Sequence, residues 1–177
     1  MLSKETLIKI ESLASQVAER EGCRVYDLDF MGGPGGRTLR IFIDKSGGAS
    51  VDDCANVSRG LNLLLDVEDP IPGGAYNLEV STPGLERNLK KPWHFTESKG
   101  KKIWLKLTEN LGSLGLQNER FIMAKQITEV LSEVAETGIM MQIESENILI
   151  PYAAIEKARV VFEFGNNMLD KNKNKKK

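Results

Sequence analysis

Few residues of this chain belong to the types that do chemistry, and their spacing assembles no reaction centre. There is one histidine, His94. A single imidazole cannot supply a two-histidine metal site, and no serine and aspartate are spaced around it as a nucleophilic triad requires. Beside Trp93 and Phe95 it reads as packing at a domain junction. The two cysteines, Cys23 and Cys54, lie far apart and form no CxxC pair, so neither a disulfide framework nor a zinc site is expected. Cys54 falls on an apolar helical stripe and should be an inert buried thiol, while Cys23 has no base nearby. The stretch MGGPGGRT has the outline of a phosphate loop. However, Met31 stands where that motif needs glycine, Arg37 replaces its lysine, and a strand follows instead of a helix. Asp52, Asp53, Asp66, Glu68 and Asp69 bracket one helix. Paired carboxylates can exchange a proton or hold magnesium, but at surface helix ends they read as caps and solvated charge. No catalytic residue, metal site, cofactor or small-molecule substrate is therefore assigned. A binding module is favoured over an enzyme.

The elements that carry these residues follow from periodicity. Ser3 to Arg20 is an amphipathic helix, with Leu7, Ile10, Leu13, Ala14 and Val17 on one stripe, Ser3 as its cap and Gly22 at its end. Tyr26, Leu28 and Phe30 alternate with acids, and Leu39, Ile41 and Ile43 alternate beyond the glycine loop, which predicts an antiparallel hairpin. Ser50 with Asp53 makes a capping-box pattern, and Cys54, Val57, Leu61, Leu64 and Leu65 form the next stripe. Pro70 and Pro72 end that helix. Tyr76, Leu78 and Val80 predict a third strand, and Thr82-Pro83-Gly84-Leu85 fits a type II turn. The fold class is thus α+β, opening with an α-β-β-α-β domain over residues 1–90.

The remainder reads differently. Ile103, Leu105 and Leu107 make a strand, with Lys102, Trp104 and Lys106 on its other face. A polar loop from Thr108 to Glu119 precedes apolar runs at Phe121–Val130, Ile139–Ile143, Ile148–Ile150 and Val160–Phe164. Short strands at this spacing suggest a small all-β barrel over 91–165, since closure leaves no open edges. The break is placed near Lys90-Lys91-Pro92, and residues 166–177 read as a disordered lysine-rich tail.

No apolar run approaches the ~18 residues of a membrane span, and the acid-bearing first helix does not resemble a secretory signal. With 41% hydrophobic and 28% charged residues the chain is expected to fold, as a cytoplasmic protein. The net charge of −1 hides an asymmetry, because the last eight residues hold five lysines and one aspartate. The rest is acidic, which disfavours indiscriminate nucleic-acid binding and favours a basic partner.

One stretch is far more specific. Val51-Asp52-Asp53-Cys54-Ala55, Leu65-Asp66-Val67-Glu68-Asp69-Pro70-Ile71 and Tyr76 to Arg87 (YNLEVSTPGLER) follow in order. Together they closely resemble the bacterial RimP family of ribosome maturation factors. The resemblance is dense from Gly22 to Leu89 and thinner to Phe164, where it includes Ile148-Leu149-Ile150-Pro151 and Lys157-Ala158-Arg159. It implies an N-terminal α+β domain, a C-terminal SH3-like, Sm-related barrel and no cofactor. It also implies a non-enzymatic, monomeric factor that binds the immature small ribosomal subunit and helps its assembly. The implied partners are a basic ribosomal protein near the decoding centre and rRNA. The chain departs from the family at Asn88, where proline is usual, and at Met123, in a place usual for glycine. The long 108–119 loop and the lysine tail are further departures.

The candidate partner contacts are the acids Asp66, Glu68 and Asp69, whose place at a helix C-terminus the dipole does not favour, and the turn Ser81, Thr82, Pro83, Gly84, Leu85, Glu86 and Arg87. Arg87 either forks onto a partner's phosphate or carboxylate or pairs internally with Glu79 or Glu86. A general RNA-binding adaptor, using Lys102, Trp104, Lys106 and the tail, is the alternative function.

Overall fold

In a computed structural model of the chain, the structure describes residues 2–33 and 36–162. Phe164 and the tail, together with Pro34 and Gly35 of the hairpin loop, lie outside the described residues. Among the described residues the protein is α+β, with three helices and two sheets. It divides into two compact units, one ending at Gly84 and the next starting at Leu85. No described helix is long and apolar enough to cross a membrane.

The first unit opens with helix α1 (Lys4–Arg20), whose start is capped by Ser3 Oγ accepting from Thr6 N at 3.1 Å. Its stripe buries Ile10, Leu13, Ala14, Val17 and Ala18. Strands β1 (Arg24–Gly33) and β2 (Gly36–Asp44) form the antiparallel hairpin that the alternation predicts, with a bulge between Val25 and Asp27. Helix α2 (Val51–Glu68) begins with a complete capping box: Asp53 N donates to Ser50 Oγ, and Ser50 N donates to the Asp53 carboxylate at 2.7 Å. Strand β3 (Asn77–Ser81) joins the sheet beside β2 and parallel to it, giving the order β1-β2-β3. A parallel neighbour requires a crossover, and α2 provides it. Leu39, Ile41 and Ile43 of β2 meet Val57, Leu61 and Leu65 of α2 and the α1 stripe in one core. Leu64 and Cys54 are only half-buried at its margin, because both lie off the centre of the α2 stripe.

The second unit begins with residues tied to its last strand. Leu89 N donates to Ala158 O and Val160 N to Arg87 O, which is why 85–91 belong here and not with the first unit. A five-residue helix, α3 (Pro92–Thr96), precedes five strands: β4 (Lys102–Leu107), β5 (Gln126–Val134), β6 (Gly138–Ile143), β7 (Glu146–Pro151) and β8 (Ile155–Val160). All neighbours are antiparallel, in the order β7-β6-β5-β4-β8. Ile103, Leu105, Leu107, Leu131, Ile139, Met141, Ile143 and Ile150 fill its core.

Three local expectations need correction. The apolar run from Phe121 becomes strand only at Gln126, since Phe121 to Met123 fold as turn. The 108–119 loop is not merely polar: Leu111 and Leu116 are among the most deeply buried side chains, and Leu111 N donates to Ala124 O. The segment folds back on itself to carry two leucines into the core. Third, Gly84 does not take the positive φ that a type II turn demands of its third residue, and the turn falls instead at Leu85 and Glu86.

Candidate partner-binding site

The acids at the end of α2 sit where the helix stops. Asp69 is its C-cap, at φ 36°, with its N–H donating to Leu65 O at 2.9 Å. A non-glycine residue in this left-handed region is uncommon, and aspartate is among the few that tolerate it. Asp66 accepts from Asn62 Nδ2 one turn back, at 3.3 Å. Glu68 reaches α1 and pairs with Lys9 Nζ at 2.8 Å. All three carboxylates are exposed. The pairing gives Glu68 a local structural role that the sequence reading did not anticipate. Asp66 and Asp69 act together on Tyr76, whose hydroxyl is pushed up first by burial and then by these two negative charges, with Arg37 opposing.

Arg37, which the sequence offered only as a failed phosphate-loop residue, has a clear task. Its Nη1 donates to Pro72 O and Gly73 O, both at 2.7 Å, and its Nη2 to Gly74 O at 3.0 Å. One guanidinium thus gathers three successive carbonyls of the loop after α2. Its Cζ also lies 5.4 Å from the centre of the Phe30 ring. The visible signal was an arginine after glycines and a Pro-x-Pro-Gly-Gly loop, but nothing in their spacing says that they meet.

The Ser81–Arg87 stretch is not one rigid turn. Ser81 ends β3, Thr82 and Gly84 are exposed, Pro83 is half-buried, and Leu85 projects with 62% exposure. Glu86 accepts from Arg159 Nη1 at 2.5 Å, and Glu79 is held by Arg40 at 2.6 Å. The two carboxylates that the sequence offers to Arg87 therefore each carry another arginine. Arg87 itself is half-buried, with its carbonyl on Val160 N at 3.0 Å.

The groups that chemistry would need are otherwise engaged. His94 is 1% exposed, and its Nδ1 accepts from Lys90 N at 3.0 Å and Lys91 N at 3.3 Å, closing the start of α3. Burial pushes the Cys23 and Cys54 thiols up, away from the reactive thiolate. Among the described residues no group of three or more His, Cys, Asp or Glu is placed to hold a metal ion.

What the first unit presents is a small sheet under two helices, an acidic helix end, and a third strand leading into Thr82, Pro83 and Gly84. Residues 13–86 match the sequence profile of the RimP N-terminal domain. That match supports membership of the RimP family of ribosome maturation factors. The RimP match begins inside α1 at Leu13 and runs through the sheet, α2 and β3 to Glu86. It contains Asp66, Glu68, Asp69 and the segment from Ser81 to Glu86, while Arg87 stands one residue beyond it. The RimP domain also contains both ends of the Arg37 clamp.

Proposed function

We propose that this protein acts in the cytoplasm on the immature small ribosomal subunit and assists its assembly by binding, without catalysis or cofactor, as a monomer. The observation that carries this reading is the RimP N-terminal domain over residues 13–86, whose helix α2 ends in an exposed acidic cluster. Ribosomal proteins are strongly basic, so carboxylates such as Asp66 and Asp69 can steer one into contact while repelling indiscriminate RNA. We assign the protein contact to Asp66, Asp69 and the partly exposed Ser81–Arg87 segment, with Glu68 contributing less because Lys9 holds it. The partner is a basic ribosomal protein near the decoding centre. The second unit is an SH3-like barrel in this reading. Its first strand β4 pairs with its last strand β8, a long loop separates β4 from β5, and a single 3-10 turn (Tyr152–Ala154) precedes β8.

Sucrose-gradient sedimentation of cell extract tests the proposal. The protein should travel with free small subunits and be absent from joined ribosomes. If it stays at the top of the gradient at low salt, the proposal fails.

A further inference from the structure

The outward face of β4 and β8 is cationic, although the body of the chain without its lysine tail is acidic. On β4 the buried residues Ile103, Leu105 and Leu107 alternate with Lys102, Trp104 and Lys106. On β8, Lys157 and Arg159 alternate with buried Ala158 and Val160. The antiparallel register sets Trp104 opposite Arg159 and Lys106 opposite Lys157. The Arg159 guanidinium carbon lies 5.4 Å from the centre of the Trp104 ring.

Two lysines directly opposite across a ladder oppose folding, so sheet stability does not explain the Lys106–Lys157 pair. Glu156 relieves it in part by accepting from Lys106 Nζ at 2.7 Å. Its carboxyl is held below the usual range by that bond and by the charges of Lys106, Lys157 and Lys125. The other acid here, Glu86, is bound to Arg159. Cations outnumber acids on this face, within a chain whose body is acidic.

Beside this face opens a cleft of about 680 Å³, with Leu89, Phe95, Trp104, Tyr152 and Ile155 among its walls and Lys157 on its lining. Apolar and aromatic walls under a cationic edge suit a group that is flat, apolar on its faces and tied to negative charge. A nucleotide of a single strand has those properties. Aromatic side chains stack any base, and lysines and arginines track the backbone.

We propose that this face of the second unit binds a single-stranded RNA segment, with a base stacked on Trp104 in the cleft and phosphates on Lys106, Lys157 and Arg159. The surface stands independently of the assembly reading. Identifying the strand as rRNA rests on that reading.

The test is fluorescence anisotropy of an end-labelled ten-nucleotide single-stranded RNA of mixed sequence, titrated with the full chain at several salt concentrations. Binding should weaken with salt, with the three phosphate contacts of this face contributing about −2 to the log–log slope. Trp104→Ala should weaken binding about tenfold, and Trp104→Phe, which keeps a ring, should retain most of it. Lys106→Gln with Lys157→Gln should flatten the slope by about 1.4. The lysines after Asp170 can also attract RNA, but their contribution is independent of Trp104. Unchanged binding by Trp104→Ala and by the double variant, both native by circular dichroism, would assign RNA contact to the tail and overturn the proposal. Equal affinity for a duplex of the same sequence, or displacement of the RNA by an acidic peptide, would overturn it too. Sedimentation with small subunits reports separately on the assembly reading, so the two can fail independently.

Discussion

At the residue scale, the start of α2 is the best-defined electrostatic feature of the first unit. Asp53 accepts from Lys45 Nζ at 2.7 Å and from the backbone and hydroxyl of Ser50. The Lys45 bond, followed by the two Ser50 bonds, lowers its carboxyl from 3.8 to about 2. The folded protein therefore holds this group ionised more readily than the unfolded chain does, so ionisation favours folding. The contribution is complete above the ordinary carboxylate range and fades as pH falls toward about 2. Asp53→Asn should lower the melting temperature at pH 7, and the gap to the parent should close as the comparison is repeated toward pH 2.5. Replacing Ser50 by Ala removes the other half of the box and should cost about 1 kcal/mol by chemical denaturation, with little dependence on pH between 5 and 8. Asp69 presents the opposite case. Its left-handed backbone would suit glycine better, so Asp69→Gly should raise the melting temperature. Under the proposed function the same change should also slow association with the basic ribosomal protein assigned as partner, measured by stopped flow at low salt. A residue kept against local stability and needed for encounter would produce both results, whereas a plain cap would produce only the first.

At the scale of elements, the sequence was most legible where a period repeats. Both long helices, the hairpin and strand β4 lie close to where alternation or three-and-four spacing placed them, because one face of each is buried. The apolar runs at 139–143 and 148–150 fall within β6 and β7, whereas the runs from Phe121 and Val160 are displaced from β5 and β8. It was least legible where tertiary contact decides. Leu111 and Leu116 look like scattered residues in a polar loop, and only the fold-back toward Ala124 makes them core. Helix α3 is too short to show a period. The strand pattern could not reveal that β3 pairs parallel to β2, since parallel and antiparallel ladders share one side-chain alternation. Packing between elements also ranks the leucines of α2. Leu61 is fully buried, so Leu61→Ala should cost ~2–5 kcal/mol, while half-buried Leu64→Ala should cost clearly less. Gly60 lies on the same helix, and a Cβ added there would meet Val17 Cγ1 of α1 at 2.8 Å. Alanine is the better helix former, yet Gly60→Ala should destabilise, because a stiff β-branched side chain stands where the new methyl must go. Denaturant midpoints for the three variants would check this order.

At the scale of the whole molecule, charge is patterned and not uniform, and the net value of −1 conceals this. Composition gave the acidic excess, but the cationic face emerges only when the register sets β8 against β4. The candidate site was legible to the same extent. The order of motifs pointed to the α2 end and the Ser81–Arg87 segment, but no sequence pattern announces that Lys9 takes Glu68 or that Arg159 takes Glu86. In the proposed function, those pairs rank the charges offered to a partner. The triple change Asp66→Asn, Glu68→Gln and Asp69→Asn should slow association with the purified basic ribosomal protein at low salt and have little effect at high salt. Most of the loss should reside in Asp66 and Asp69, which the two single variants would show. An unchanged rate in a native triple variant would move the protein contact to Ser81–Arg87.

The Arg37 clamp bears on how the protein is degraded. An exposed Pro- and Gly-rich loop is ordinarily where a protease cuts first, because the chain there enters the enzyme's cleft in extended form. Three carbonyls held by one guanidinium cannot follow that path without releasing it. The clamp also restricts replacement of Gly73, which sits at φ 90° and whose added Cβ would meet Arg37 Nη1 at 2.8 Å. Arg37→Ala should therefore create a nicking site between Pro72 and Ala75 in native protein, seen as two fragments in timed digestion with a protease of broad specificity.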